Sequence, residues 1–310
     1  MPTVDVQRLQ VVLEEAVVLA RKNSEGAAAN YIPELASVPV DITAIAVRLF
    51  DGTCLSAGDD PEIKVTLQST AKLVVLIGLL EEHGLDQMLQ WTRVEPSGGD
   101  FDSISRLDLH GPLPSNPMLN SGAISLSARI PGNAEQKLAW LDGWMERLFG
   151  MHLNLDHKVY ASERRTGDRN RSLAYLLKSS GMLPGDVNAD LDAYFALCSY
   201  EATPIQATHL PMLLANGGRN QTGEQVISED TTRTVVAVMS TCGLYNETGT
   251  HMVRTGMPAK SGVSGYILAS ALGHAGLVVL SPRVNPKGTS IRGAIMLEHV
   301  SKSMGWHFAC

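Results

Sequence analysis

Ser69 and Lys72 stand three residues apart in Ser69-Thr70-Ala71-Lys72, directly before the apolar run Leu73-Val74-Val75-Leu76-Ile77-Gly78-Leu79-Leu80. The run predicts a helix whose first turn holds the hydroxyl and the amine on one face. A serine hydroxyl is a poor nucleophile at neutral pH. A lysine amine becomes a base for it only where burial or a neighbouring cation lowers its pKa toward about 7–8. The pattern therefore asks for a dry pocket. Taken alone it also describes a helix N-cap followed by a solvated lysine.

A second element lies far downstream. Lys260-Ser261-Gly262 precedes the uncharged stretch from Val263 to Ser281. Serine acyl-enzymes of the penicillin-binding and β-lactamase kind pair S-x-x-K on a helix with K-[ST]-G on an adjacent edge strand. In that arrangement the strand backbone gives one hydrogen-bond donor to the developing oxyanion, and the nucleophile's own N–H gives the other. The candidate donors here are the amides of Ser69 and Val263. Considered without Ser69 and Lys72, the triplet is an ordinary strand entry with a turn glycine.

Composition narrows the classes. A chain of 310 residues, 44% hydrophobic and 18% charged, can bury a sizeable core. Its net charge of -7 argues against nucleic-acid and anionic-membrane partners and leaves small polar substrates open. Cys54, Cys198, Cys242 and Cys310 form no C-x-x-C pair and have no histidine at zinc-finger spacing, so they read as reduced, mostly structural thiols. Neither H-E-x-x-H nor G-x-x-x-x-G-K-[ST] occurs, and no metal or nucleotide cofactor is expected. Asp5, Arg8, Glu14 and Glu15 interrupt the N-terminal apolar pattern, which predicts a domain helix, not a signal peptide, and a cytoplasmic protein.

The elements that would position these residues are legible in outline. Ile45 to Phe50, Asp51-Gly52 and Thr53 to Leu55 spell a β-hairpin with the Asp-Gly pair at its turn. Tyr266-Ile267-Leu268-Ala269 and Leu277-Val278-Val279-Leu280, flanking Gly273 to Gly276, spell a second, buried one. Ile291 to Leu297 reads as a further strand before a helix containing His299 and Val300. Between the sheet-like ends, 3.6-residue apolar spacing predicts helices over Asn120 to Ile130, Ala134 to Phe149, Asp168 to Lys178, Asp190 to Cys198, Pro204 to Asn216 and Glu229 to Thr241. The expected fold class is α+β, a mainly antiparallel sheet flanked by helices with an inserted helical lobe. The expected organisation is a single catalytic unit over 1–310, with a sheet lobe of about 1–68 and 252–310 and a helical lobe of about 69–251. Ser69 would then stand at the seam, a common place for a pocket.

Several segments together carry a resemblance. Tyr31-Ile32-Pro33-Glu34-Leu35-Ala36, Gln68 to Lys72, Asn116 to Ile124, Ser162 to Asn170, Asp192-Ala193-Tyr194 with Cys198-Ser199, Gly243-Leu244-Tyr245 and Pro258 to Val263 follow one family's order through nearly the whole chain. In them the sequence resembles the bacterial-type, serine-dependent glutaminases, which share the β-lactamase and transpeptidase-like fold. The resemblance implies hydrolysis of L-glutamine to L-glutamate and ammonia. Ser69 would form a γ-glutamyl ester, Lys72 would take its proton, and Tyr245 with Lys260 would help move protons. It also implies that Glu163 pairs with the substrate ammonium, that Asn120, Asn170 and Tyr194 bind the amino-acid end, and that Tyr31 forms part of the pocket wall. It implies a homo-oligomer, dimer or tetramer, and no cofactor.

The residues have plainer readings too: helix caps for Asn120 and Asn170, a solvated acid beside Arg164 and Arg165 for Glu163, and a packed helix-end aromatic for Tyr245. Ser121, Asn246, His251 and Tyr266 depart from the family pattern, and Tyr266 puts the geometry of the oxyanion strand in question. A serine β-lactamase or peptidase shares both catalytic elements but lacks here its Ser-x-Asn or Tyr-x-Asn element. A glutamine-binding module without turnover would have no use for a nucleophile.

Overall fold

The computed structural model describes residues 4–97 and 112–309. Its main sheet has five antiparallel strands: β1 (Ala44–Leu49), β2 (Cys54–Gly58), β6 (Ala259–Ser261), β7 (Tyr266–Ala271) and β8 (Ala275–Leu280), in the order β2-β1-β8-β7-β6. Three short strands, β3 (Val65–Thr66), β4 (Asn154–Leu155) and β5 (Tyr200–Ala202), make a second sheet in the order β3-β5-β4. Strands of two or three residues carry no periodicity, so nothing in the sequence announced them.

Both predicted hairpins form. In the first, Leu49 N–H bonds Thr53 O (2.9 Å) and Gly52 N–H bonds Leu49 O (3.1 Å), so the turn spans Phe50-Asp51-Gly52 and is one residue longer than the Asp-Gly pair. The second pairs Tyr266 with Leu280 through Ala271 with Ala275. The predicted strand over Ile291 to Leu297 is a helix, Ile291–Met304. Ser290 accepts from Gly293 N as its N-cap, and the buried residues Arg292, Gly293, Met296, Leu297, Val300 and Ser301 repeat at helical spacing. Arg292 had hidden that face, because its buried guanidinium is satisfied by Asn23 O, Asp41 O and Thr43 Oγ1.

Alternation along the strands divides the core. Ile45, Val47 and Leu49 on β1, with Ile267 and Ala269 on β7 and Leu277 and Val279 on β8, pack against the terminal helices Val6–Arg21 and Ile291–Met304. Tyr266, Leu268, Val278 and Leu280 point the other way, into the core shared with the helices between β2 and β6. Lys260 is in register with Leu268, so its side chain also enters that second layer. At the centre of the layer runs the helix Lys72–Met88, in which every residue from Lys72 to Leu80 is buried.

The helices Asn120–Ser127, Ala134–Phe149, Asp168–Ser179, Val187–Ser199 and Glu229–Cys242 agree with their apolar spacing. The predicted helix over Pro204 to Asn216 is divided into Pro204–Ala207 and His209–Ala215. Sequence reasoning passed over His157–Thr166 and Thr248–Thr255, whose apolar faces are narrow: each buries only three residues. Among the described residues no helix is long and apolar enough to cross a membrane, and no cluster of three or more His, Cys, Asp or Glu could hold a metal ion.

His251 lies buried in Thr248–Thr255, its Nε2 3.0 Å from Met257 O and 3.1 Å from Thr255 Oγ1. Burial lowers its pKa to about 4, against the Met257 hydrogen bond. The unfolded chain takes up this proton near pH 6.5, so the stability contributed by the neutral buried ring is complete above that pH and is lost as pH falls toward 4. His251→Phe should remove the loss. Between pH 6.5 and 4 the urea-unfolding free energy of the parent should fall more steeply than the variant's, by about 1.4 kcal/mol per pH unit. His209, also lowered to about 4, acts on both proteins and cancels. Parallel profiles would show that His251 is not the titrating group.

Candidate active site

The chain enters the site through backbone held in an uncommon shape. Leu67 N–H bonds Tyr200 O (2.8 Å), continuing the β3–β5 pairing, and Thr70 Oγ1 bonds Leu67 O (2.7 Å). Between them Gln68 takes φ 49°, left-handed for a non-glycine residue, and opens a 3-10 turn over Gln68–Ala71 that runs into Lys72–Met88. Such a conformation costs about 1–3 kcal/mol and persists only where surroundings enforce it. Here Gln68 Nε2 donates to Thr66 Oγ1 (3.2 Å) and its Oε1 lies 3.0 Å from Tyr31 Oη. Ser69 follows at 9% exposure, in the turn and not in the helix proper.

Beneath Ser69 two amines are completely buried. Lys72 Nζ donates to Asn120 Oδ1 (2.7 Å) and Met118 O (3.0 Å). Lys260 Nζ donates to Ser261 O (2.6 Å) and Tyr245 Oη (3.3 Å), and lies 4.3 Å from the Tyr245 ring centroid; Lys72 Nζ is 5.9 Å from the same centroid. Burial, then the neighbouring Lys72, pushes the Lys260 pKa well below the ordinary lysine value. Tyr245 opens the 3-10 turn Tyr245–Glu247 with φ 52°. The approach of that segment to β6 requires glycine at 243, since a side-chain carbon there would stand 1.7 Å from Ala259 O.

The K-S-G strand reaches Ser69 directly. A carbon built on Gly262 would be 3.6 Å from Ser69 N and 2.9 Å from Leu67 O, and Val263 borders the cleft. Tyr266 does not disturb the strand. It is fully buried, donates to Ala202 O (2.6 Å), and leaves β6 and β7 in regular antiparallel register.

Above this floor opens a cleft of about 340 Å³ lined by Tyr31, Ser69, Asn120, Glu163, Asn170, Tyr194 and Val263, with Gln68, Thr166, Gly167, Arg169 and Cys198. A wider depression of about 540 Å³ lies on the far side of the molecule, between the terminal helices, and contains no hydroxyl or amine pair of this kind. Glu163 is 5% exposed, on the helix His157–Thr166, and its Oε1 accepts from Tyr31 Oη (2.8 Å). Burial raises its pKa, the Tyr31 and Gln68 hydrogen bonds oppose the rise, and the Glu34 carboxylate adds to it. It is therefore not a solvated acid, although its neighbour Arg164 does pair at the surface with Asp192 (2.8 Å).

Asn120 begins the helix Asn120–Ser127 without capping it. Its Oδ1 serves Lys72 and its Nδ2 donates to Asn170 Oδ1 (3.0 Å), so the amine dictates the orientation of both amides. Tyr194 and Cys198 descend from Val187–Ser199, one helical turn apart. Burial raises the Tyr194 pKa well above the usual phenol value and the Cys198 thiol to about 12, which disfavours the thiolate. Tyr31 is 48% exposed, yet its hydroxyl is enclosed by Gln68 and Glu163, which raises its pKa through desolvation first and the Glu163 charge second.

The structure thus brings Ser69, Lys72, Tyr245, Lys260, Asn120, Glu163, Asn170, Tyr194, Val263 and Tyr31 to one place. The residues sequence reasoning did not assign to it are Gln68, Thr166, Gly167, Arg169 and Cys198. Most stood beside assigned residues, but only the left-handed turn and the helix pitch reveal which way they face.

A sequence model described as "Glutaminase" matches residues 26–308. The chain belongs to the glutaminase family. It is 59% identical over 298 residues to a glutaminase of Legionella pneumophila (strain Lens), covering 96% of each chain, and 38% identical over 301 residues to one of Clostridium tetani, covering 96% and 97%. Among solved structures it superposes on a probable glutaminase, ybaS, with a TM-score of 0.94 at 34% identity, covering 97% and 98% of the two chains. It also matches a covalent complex of a Bacillus subtilis glutaminase with 5-oxo-L-norleucine, formed from 6-diazo-5-oxo-L-norleucine, with a TM-score of 0.86 at 32% identity, covering 97% and 99%. The α+β architecture expected from the sequence is that of these glutaminases.

A buried carboxylate with a raised pKa stabilises the fold less at neutral pH than a neutral group of the same shape. Glu163→Gln keeps an acceptor for Tyr31, and the ligand-free glutaminase should melt at a higher temperature in the variant at pH 7. The advantage should vanish as pH falls through the Glu163 pKa and the parent carboxyl becomes neutral. An equal or lower melting temperature at pH 7 would contradict the burial argument.

Proposed function

We propose that this glutaminase hydrolyses L-glutamine through an ester on Ser69, with the two buried lysines and Tyr245 moving the protons. The observation that carries the reading is the convergence on Ser69 of two fully buried amines, Lys72 and Lys260, with the Tyr245 hydroxyl in contact with the second. An amine buried beside another cation gives up its proton more readily, as a base for the Ser69 hydroxyl must have done.

Ser69 Oγ attacks the side-chain amide carbon of glutamine, and its proton passes to Lys72 Nζ. The tetrahedral oxyanion lies between the amides of Ser69 and Val263, each such donor being worth about 3–4 kcal/mol in the transition state. Collapse breaks the C–N bond, and the Tyr245 hydroxyl gives the departing nitrogen the proton it needs to leave as ammonia, Lys260 then resupplying Tyr245. Water attacks the ester carbonyl, its proton returns by the same groups, and Ser69 is regenerated with glutamate. Glu163 balances the substrate ammonium, while Asn170 and Tyr194 hydrogen-bond the amino-acid end. The covalent 5-oxo-L-norleucine complex of the Bacillus subtilis relative supports a nucleophile at this site.

Ser69→Ala should fold normally and reduce ammonia release by at least about a thousandfold, the order seen when the nucleophile of a serine hydrolase is removed. Undiminished turnover would end the Ser69 mechanism. Glu163→Gln should act differently, raising KM by about tenfold or more through loss of a desolvated charge partner. A KM equal to the parent's would take Glu163 away from the ammonium. The same preparation should leave L-asparagine and a chromogenic β-lactam unhydrolysed; turnover of the β-lactam alone would favour the penicillin-binding chemistry.

A further inference from the structure

Tyr245 and Val263 belong to separate segments, and one turn outside the cleft, held by the Asn285 side chain, adjoins both. Asn285, in the connection from β8 to Ile291–Met304, engages all its polar groups. Its N–H donates to Thr289 O (2.9 Å) and its carbonyl accepts from Gly288 N (2.9 Å). Its Oδ1 accepts from Lys287 N (2.9 Å) and Thr289 N (3.1 Å), and its Nδ2 donates to both carboxylate oxygens of Glu247 (2.9 and 3.0 Å). The turn closed in this way lies close against Val263: a carbon built on Gly288 would stand 3.0 Å from its Cγ1. Ser290 Oγ bonds Ser281 O (2.7 Å) and fastens the connection to the end of the sheet.

On the other side Glu247 closes the turn that Tyr245 opens. Its N–H bonds Leu244 O (3.0 Å), while Thr248 Oγ1 donates to Tyr245 O (2.9 Å) and accepts from Leu244 N (2.9 Å). These bonds enclose the left-handed Tyr245, a conformation that relaxes unless held. The Asn285 amide is the side-chain tie from this turn to the segment packed on Val263.

We propose that Glu247 and Asn285 are positioning residues whose amide–carboxylate clasp fixes the Tyr245 hydroxyl relative to the Val263 amide, so that proton delivery and oxyanion stabilisation are set by one contact. The proposal rests on the roles given to Tyr245 and Val263 above. Neither residue borders the substrate cleft, and Glu163, Asn170 and Tyr194 lie on other elements. Loosening the clasp therefore affects the transition state more than the binding of glutamine.

The test measures ammonia release by purified Glu247→Ala, Asn285→Ala and Glu247→Gln, with competent sites counted by mass after reaction with 6-diazo-5-oxo-L-norleucine. Expected are a kcat per labelled site about tenfold lower in both alanine variants and a KM within about twofold of the parent. Glu247→Gln, which keeps an acceptor for Asn285 Nδ2, should recover to within about threefold of the parent, and the double alanine variant should be no worse than either single one. Asn285→Asp sets a second carboxylate against Glu247. Its rate relative to the parent should be lowest above pH 7 and recover on acidification, as the two carboxylates come to share a proton. Unchanged kcat per competent site in both alanine variants overturns the proposal, as does Glu247→Gln as impaired as Glu247→Ala or a deficit confined to KM. Ser69→Ala separates the two levels: if it retains turnover, the site reading fails and the clasp with it. If it is inactive while Asn285→Ala is normal, the clasp alone fails.

Discussion

Two lysine amines share one buried floor, and most of the site follows from keeping them there. Lys72 arrives on the central helix and Lys260 on the edge strand, each with no solvent exposure. An ammonium removed from water is destabilised by several kcal/mol unless acceptors replace its hydration, and a second cation nearby raises that penalty. Each amine is therefore given its own oxygens, Asn120 and Met118 for one, Ser261 and Tyr245 for the other. These are neutral acceptors, and burial beside a second cation holds the Lys260 pKa well below the ordinary lysine value.

The same economy of partners orients the substrate end. With Lys72 donating to it, Asn120 presents its oxygen to the amine and its nitrogen outward, and Asn170 answers with oxygen. The proposed base and the proposed amino-acid subsite are thereby joined by two hydrogen bonds. Glu163, the carboxylate proposed to meet the substrate ammonium, lines the same cleft and accepts from the enclosed hydroxyl of Tyr31. In the proposed mechanism this carboxylate draws the substrate ammonium to its own side of the cleft and leaves the uncharged amide for Ser69.

Much of this was legible because chemistry constrains residue type locally. Ser69 and Lys72 must share a helical turn, and a K-S-G triplet must lie on a strand, so each leaves a short pattern. The hairpins and most long helices followed from alternation and 3.6-residue spacing. What escaped was set at a distance. Ile291 to Leu297 looked like a strand because Ile291 and the neighbouring apolar residues suit one, and only the Ser290 cap and the buried Arg292 show the helical face. The helix that carries Glu163 went unseen because its exposed face is dense with charge. Gln68 and Cys198 stood beside assigned residues, yet their direction depends on a left-handed turn and on the pitch of Val187–Ser199.

Gln68 and Tyr245 are the non-glycine residues with positive φ among the described residues, and they stand beside the proposed nucleophile and at the proposed proton donor. Their strain is of the same order as the worth of several ordinary hydrogen bonds. A fold selected for stability alone would have placed glycine at both, since glycine takes this backbone without strain. A glycine at 68 would lose the amide that bonds Thr66 and lies against Tyr31, and one at 245 would lose the hydroxyl that meets Lys260. Each position therefore needs a left-handed backbone and a working side chain at once. That conflict is resolved only by bonding the surrounding chain densely enough to enforce the shape, which is why the short β3–β5 pairing and the Leu244–Thr248 hydrogen bonds lie next to these two residues.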